Sequence, residues 1–211
     1  SATATAAAPA ADAGDANSVA FSRDVADWLF APTWARAPLN RAATLSGTWL
    51  IAGGSDPLAD ALARRVREAG ALAIRIKEAG EAESAVAQAR AGGQPVVGAF
   101  ALWGLGAGSA TPAEQRDWLH HAPVALAAAL APTASEPVRV IVATAGAHSV
   151  LGEPVAQSAA ALAVGPVLAL PLEMPGLRGR QIDLEAGVAD DLAAQHLFDE
   201  AVARDEEDMV A

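Results

Sequence analysis

The residues that first suggest chemistry are Gly53, Gly54 and Ser55. They follow an apolar run, Thr48 to Ala52, and precede a helical pattern. In dinucleotide-binding folds, glycines at such a point let backbone amides approach a pyrophosphate. The fingerprint needs glycine at the third and sixth positions from Gly53, where Ser55 and Leu58 stand. The longer spacing, with glycine four and six residues on, meets Pro57 and Ala59. Pro57 has no amide hydrogen, and Asp56 sets a carboxylate where phosphate would sit. The segment therefore reads as a strand-to-helix turn, with Asp56 as N-cap and Pro57 at the first helical position. A nucleotide site at Gly53, Gly54 and Ser55 is the alternative. A nucleophile elbow is approached by Gly53-Gly54-Ser55-Asp56-Pro57, but its final glycine is a proline.

A second cluster is Thr144-Ala145-Gly146-Ala147-His148-Ser149, after a strongly apolar run. A reductase serine in such a place works with a tyrosine that protonates a carbonyl oxygen and a lysine that lowers the tyrosine pKa. The chain has no tyrosine, and its only lysine is Lys77. The relay cannot be assembled from this chain. Ser149 and His148 read as loop residues. Adjacent His120 and His121 point about 100° apart on a helix and cannot chelate one ion together. The acidic run Asp199 to Asp208 reads as a solvated face, and the five tryptophans as hydrophobic anchors.

These residues need a scaffold of alternating elements. Strands are expected at Thr48–Ala52, Leu72–Ile76, Pro95–Trp103, Val138–Thr144, Val167–Leu170 and Gln181–Leu184, with a last one beginning near Met209. An edge strand is expected over Trp28–Trp34. Helices fall between them: Asp56 to Gly70, Glu81–Ala91, a run opened by the Thr111-Pro112-Ala113-Glu114 capping box and broken near Pro123, Pro154–Val164, and Ala189–Arg204. Strands joined by helical crossovers imply a truncated, Rossmann-like, doubly wound and mostly parallel α/β sheet. Residues 1–18, rich in Ala, Pro, Asp and Gly, read as a flexible linker, and 19–211 as one domain. A net charge of −11 argues against nucleic-acid partners and a polybasic membrane patch. Zero cysteines exclude disulfides and thiolate metal sites. Gly165, Pro166 and Pro171 interrupt the longest apolar stretch, so a soluble, cytoplasmic protein is expected.

Taken in order, several segments resemble the structural subdomain of a modular type I polyketide synthase ketoreductase. They are Gly47-Thr48-Trp49-Leu50-Ile51, Phe100-Ala101-Leu102-Trp103-Gly104-Leu105, Val140 to Ala147 with its T-x-G-A ending, Gly165 to Pro175, Ile182-Asp183-Leu184 and Glu207 to Ala211. The resemblance covers the chain from about Val19 onward. It implies a non-catalytic half that holds no cofactor and braces a second half, which carries NADPH and the Ser/Tyr/Lys residues. The implied partners are that catalytic subdomain and neighbouring synthase domains, in an active or a pseudo-ketoreductase module. Trp28, Phe30 and Trp34 on the entry strand are the candidate contacts. The rival is a free-standing Rossmann oxidoreductase using Gly53 and Gly54.

Overall fold

The computed structural model describes residues 24, 33–37, 44–131, 137–203 and 207–211. The chain divides between Ala35 and Arg36 into two units, and the sheet belongs to the second. Its sheet has six parallel strands: β1 (Thr48–Ala52), β2 (Leu72–Ile76), β3 (Val96–Ala101), β4 (Val138–Ala145), β5 (Leu177–Leu184) and β6 (Met209–Val210). Their spatial order is β2-β1-β3-β4-β5-β6. The helices are α1 (Asp56–Glu68), α2 (Ala82–Ala91), α3 (Pro112–Arg116), α4 (Ala122–Leu130), α5 (Val164–Glu173) and α6 (Asp190–Ala201).

Alternation along each strand feeds two cores. Leu50 and Ala52 of β1 join one layer with α2, α4 and α5 through Val86, Leu126, Leu130, Val167 and Leu170. Trp49 and Ile51 join the other with α1 and α6 through Leu62, Val66, Ala194 and Leu197. Covered on both faces, β1 is buried at all five positions and is apolar from Trp49 to Ala52. With few large side chains available, glycine and alanine bring elements close. A side chain at Gly98 would run into the indole of Trp49, whose ring also lies 5.2 Å from that of Phe100. Between β4 and α6, Arg139 donates to the carbonyls of Glu200, Ala201 and Ala203, satisfying orphan groups at the helix end. The buried ion pair Arg180–Glu200, at 2.7 Å, ties α6 to β5.

Four expectations are corrected. The N-cap of α1 is Ser55, whose hydroxyl accepts from the Leu58 amide, and Asp56 is the first helical residue with Pro57 next. A serine cap leaves Asp56 outward, where Arg75 engages it. Val167–Leu170 is helix: a 3₁₀ turn at Ser158–Ala163 runs into α5, which contains the expected strand entirely. Pro166 sits in its first turn, where no amide is needed. Pro171 removes the donor for the Val167 carbonyl, and that carbonyl lies against Gly179 of β5, so a proline and a glycine together allow helix and sheet to touch. The helix expected over Pro154–Val164 accordingly begins only at Ser158. Finally, Thr33 and Trp34 are irregular, not strand, while Trp28 and Phe30 lie outside the described residues, as do residues 1–18. The break near Pro123 is a π turn at Asp117–His121, where the ladder accommodates the missing amide.

Candidate functional site

In open parallel sheets, ligands bind where the strand order reverses, beyond the carboxyl ends of the strands. Here the reversal lies between β1 and β3. A cleft of about 580 Å³ opens there, lined by the β1 turn, by Arg75 to Glu78 at the end of β2, by Leu102, Trp103 and Leu105 after β3, by Trp118, and by Leu184, Glu185 and Asp190 at and beyond the end of β5.

The turn itself is glycine for backbone reasons. Gly53 and Gly54 have φ values of +73° and +79°, the left-handed region that side chains disfavour. Both also lie beneath neighbours. A Cβ on Gly53 would stand 2.6 Å from Nε1 of Trp103, and one on Gly54 would stand 3.0 Å from the Leu102 side chain. The Trp103 indole donates to the Lys77 carbonyl at 2.9 Å. It thus spans from the β1 turn to the end of β2. The half-buried indole was missed by sequence reasoning, which placed it only as part of a strand pattern; its partner glycine is 50 residues away in the chain.

The amino end of α1 is engaged by its own neighbours. Ser55 accepts from the Leu58 amide at 3.3 Å and donates to Asp190 at 3.2 Å. Asp56 pairs with Arg75 at 2.6 Å, and Asp60 with the same guanidinium. The hydrogen bond from Arg75, with Lys77 adding its charge, holds the Asp56 carboxyl below the usual carboxylate range. The opening therefore presents the Asp56–Arg75 pair, Lys77 and the Asp190 carboxylate beside a helix terminus that ordinarily attracts anions.

Beside the cleft, the turn after β4 is fixed by a buried carboxylate. Thr144 and Asp183 are register partners on β4 and β5. Asp183 accepts from the Thr144 hydroxyl at 2.8 Å, from the Ala147 amide at 2.8 Å and from the His148 amide at 2.9 Å. Gln181 donates to the Thr144 hydroxyl at 3.0 Å. Gly146, at φ +66°, has no room for a side chain because Ala156 Cβ lies 2.7 Å from where one would begin. The T-x-G-A and I-D-L segments are thus two sides of one hydrogen-bonded unit. Sequence reasoning read Asp183 only as part of a strand. The overlooked signal was a carboxylate in an apolar strand, which must find donors when buried. Ser149 follows this unit and is exposed.

His121 pairs with Asp117 at 3.0 Å on the surface, and the His120 ring stands edge-on to it. Among the described residues, no group of three or more His, Cys, Asp or Glu could hold a metal ion. No helix among them is long and apolar enough to cross a membrane.

A six-stranded parallel sheet of this order, wound on both faces, with its crevice at the β1 turn, defines a Rossmann-like fold. No family model and no curated protein matches the chain. Solved structures do. A multidomain structure of a keto acid-selecting NRPS module, with adenylation, ketoreductase and pseudo-Asub domains, superposes with a TM-score of 0.70 at 15% identity over 85% of this chain. A C2-type ketoreductase from a modular polyketide synthase gives 0.63 at 23% identity, again over 85%. A short-chain dehydrogenase from Burkholderia cenocepacia, solved in complex with NADP, gives 0.56 at 12% identity, covering 80% of this chain and 90% of its own. The chain spans 17% and 40% of the first two proteins. At these identities the likeness is one of fold, and the fold is ketoreductase-like.

Proposed function

We propose that this chain is the structural, non-catalytic half of a ketoreductase region in a polyketide synthase-type assembly, and that it braces a second half carrying NADPH and the catalytic residues. The observation that carries the reading is the Trp103 indole lying on Gly53 and bonded to Lys77 across the switch point. A dinucleotide following the usual path would need that space. The residues present do not fit the group. The Leu58 amide already has the Ser55 hydroxyl, Pro57 offers none, and the Ser55 hydroxyl itself donates to the Asp190 carboxylate at the mouth of the turn. The chain also lacks any tyrosine for a Ser/Tyr/Lys relay. Likeness to a polyketide synthase ketoreductase of which the chain spans 40% agrees with a unit that is part of a larger reductase.

The rival, a free-standing oxidoreductase with a nucleotide at Gly53, Gly54 and Ser55, draws on the cleft of about 580 Å³ at the switch point. Calorimetric titration with NADPH and NADH separates the two. The structural reading expects no heat of binding at micromolar nucleotide. Micromolar binding that disappears in Gly54→Leu overturns it.

A further inference from the structure

A strand at the rim of a sheet carries a row of unpaired amides and carbonyls, and such a row is a template for another strand. The strand order leaves β2 in that position, and among the described residues no strand lies beyond it. Five residues long, and exposed or half-buried from Leu72 to Arg75, it is long enough and open enough to be used. Its two sides can be told apart. The Leu72 amide donates to the Gly47 carbonyl, and the Ile76 carbonyl accepts from the Gly53 amide, so Leu72, Ile74 and Ile76 bond towards β1. Residues alternate along the strand, and Ala73 and Arg75 therefore turn their backbone groups outward.

Side chains occupy both ends of that outward row. Arg67, exposed in the last turn of α1, donates to the Ala73 carbonyl at 3.2 Å. Just past the strand, the Lys77 amide donates to the exposed Glu81 carboxylate at 3.1 Å, and the Lys77 carbonyl accepts from the Trp103 indole at 2.9 Å. Between these ends the Arg75 guanidinium is held by Asp56 and Asp60, three charges that an added strand would have to desolvate. What is left among the described residues is the Ala73 amide with the Arg75 amide and carbonyl, closed in on either side.

We infer that Arg67 and Glu81 close the β2 edge against strand addition, so that a second copy of this chain cannot extend the sheet there. Both side chains are exposed and belong to neither core. The net charge of −11 also keeps copies apart, but salt screens that repulsion beyond about 10 Å at about 0.1 M, so protection at contact range must come from the edge itself. Trp103 contributes at the Lys77 carbonyl but also rests on Gly53, and the test therefore leaves it in place. The inference is independent of the structural-half reading, since it concerns the sheet whatever the chain does.

The test compares this chain with its Arg67→Ala/Glu81→Ala variant in moderate salt, by sedimentation velocity over a rising concentration series and by hydrogen exchange at the Ala73 and Arg75 amides. In the parent both amides should exchange freely at every concentration. The double variant should associate as concentration rises, and both amides should slow at least about tenfold in the associated form. Its far-ultraviolet circular dichroism should match the parent, since both side chains are exposed; if the double variant loses structure, either single variant carries the same expectation to a smaller extent. Slow exchange of both amides in the parent overturns the inference, because the edge would then be covered already. So does a folded variant that gains no association, or an association that leaves the two amides unprotected.

Discussion

Replacing Gly53 with alanine, with and without Trp103, measures whether the switch point is closed. Alanine at φ +73° costs about 1–2 kcal/mol because its Cβ meets the following carbonyl in the left-handed region. The same methyl would stand 2.6 Å from Nε1 of Trp103 and closer still to the neighbouring ring carbon. The ring is held by its bond to Lys77 and cannot swing away without losing it. Overpacking of this kind costs about 1–3 kcal/mol. Gly53→Ala should therefore lose about 2–5 kcal/mol in the parent chain but only the backbone part, about 1–2 kcal/mol, in Trp103→Ala. The interaction energy of the cycle is then the packing part, and its sign is fixed: the second substitution relieves the first.

Urea unfolding followed by far-ultraviolet circular dichroism is the assay, because removing a tryptophan disturbs fluorescence. Equal slopes in urea across the four proteins are the condition for comparing midpoints. An additive cycle, with Gly53→Ala equally costly in both backgrounds, would refute the reasoning. It would mean that the indole does not rest on the turn at the switch point between β1 and β3.

Two further perturbations follow from the site and the caps. Asp183→Ala strips acceptors from the Thr144 hydroxyl and the Ala147 and His148 amides, so roughly 2–5 kcal/mol should be lost in denaturant unfolding, and Asp183→Asn, with only one acceptor oxygen, should fall between; a loss below about 0.5 kcal/mol for alanine would contradict the network. Acid should destabilise the fold through Asp56, Glu114 and Glu153, whose carboxyls are held low by Arg75, by the Thr111 hydroxyl and by the Val150 amide respectively. Their folded values lie below the unfolded ones near about 4, so this stability is complete above that pH and disappears as pH falls through the folded values. Thermal midpoints recorded from pH 6 to pH 3 should fall less steeply for Asp56→Asn/Glu114→Gln/Glu153→Gln than for the parent, and parallel curves would count against the assignment.

Much of the architecture was legible because it rests on local signals. The capping box at Thr111, the apolar stripe of α1 and the buried runs of β1 and β4 are spacings within a few residues, and each appears where it was read. The α5 segment was not legible for an equally physical reason. Val167-Leu168-Ala169-Leu170 between two prolines has no period, and a short apolar run fits a buried strand or a buried helix alike. In the fold the Val167 carbonyl lies against Gly179 of β5, a tertiary contact that apolar periodicity does not report.

The glycine turn carries the same lesson further. Gly53 and Gly54 are what a phosphate loop requires, and equally what a tryptophan laid across the turn requires; residue type and spacing do not separate these demands. The missing second and third glycines of the fingerprint, at Ser55 and Leu58, and Pro57 weaken the first reading without supplying the second. Only the fold brings Trp103 from the end of β3 onto Gly53 and anchors it to Lys77 beyond β2. Asp183 works likewise, joining a strand to a turn 36 residues earlier through its carboxylate. In both places the sequence announces a special backbone, and a side chain from another strand determines its use. At this switch point the left-handed turn at Gly53 and the Trp103 indole laid on it are therefore one packing unit, assembled from two strands.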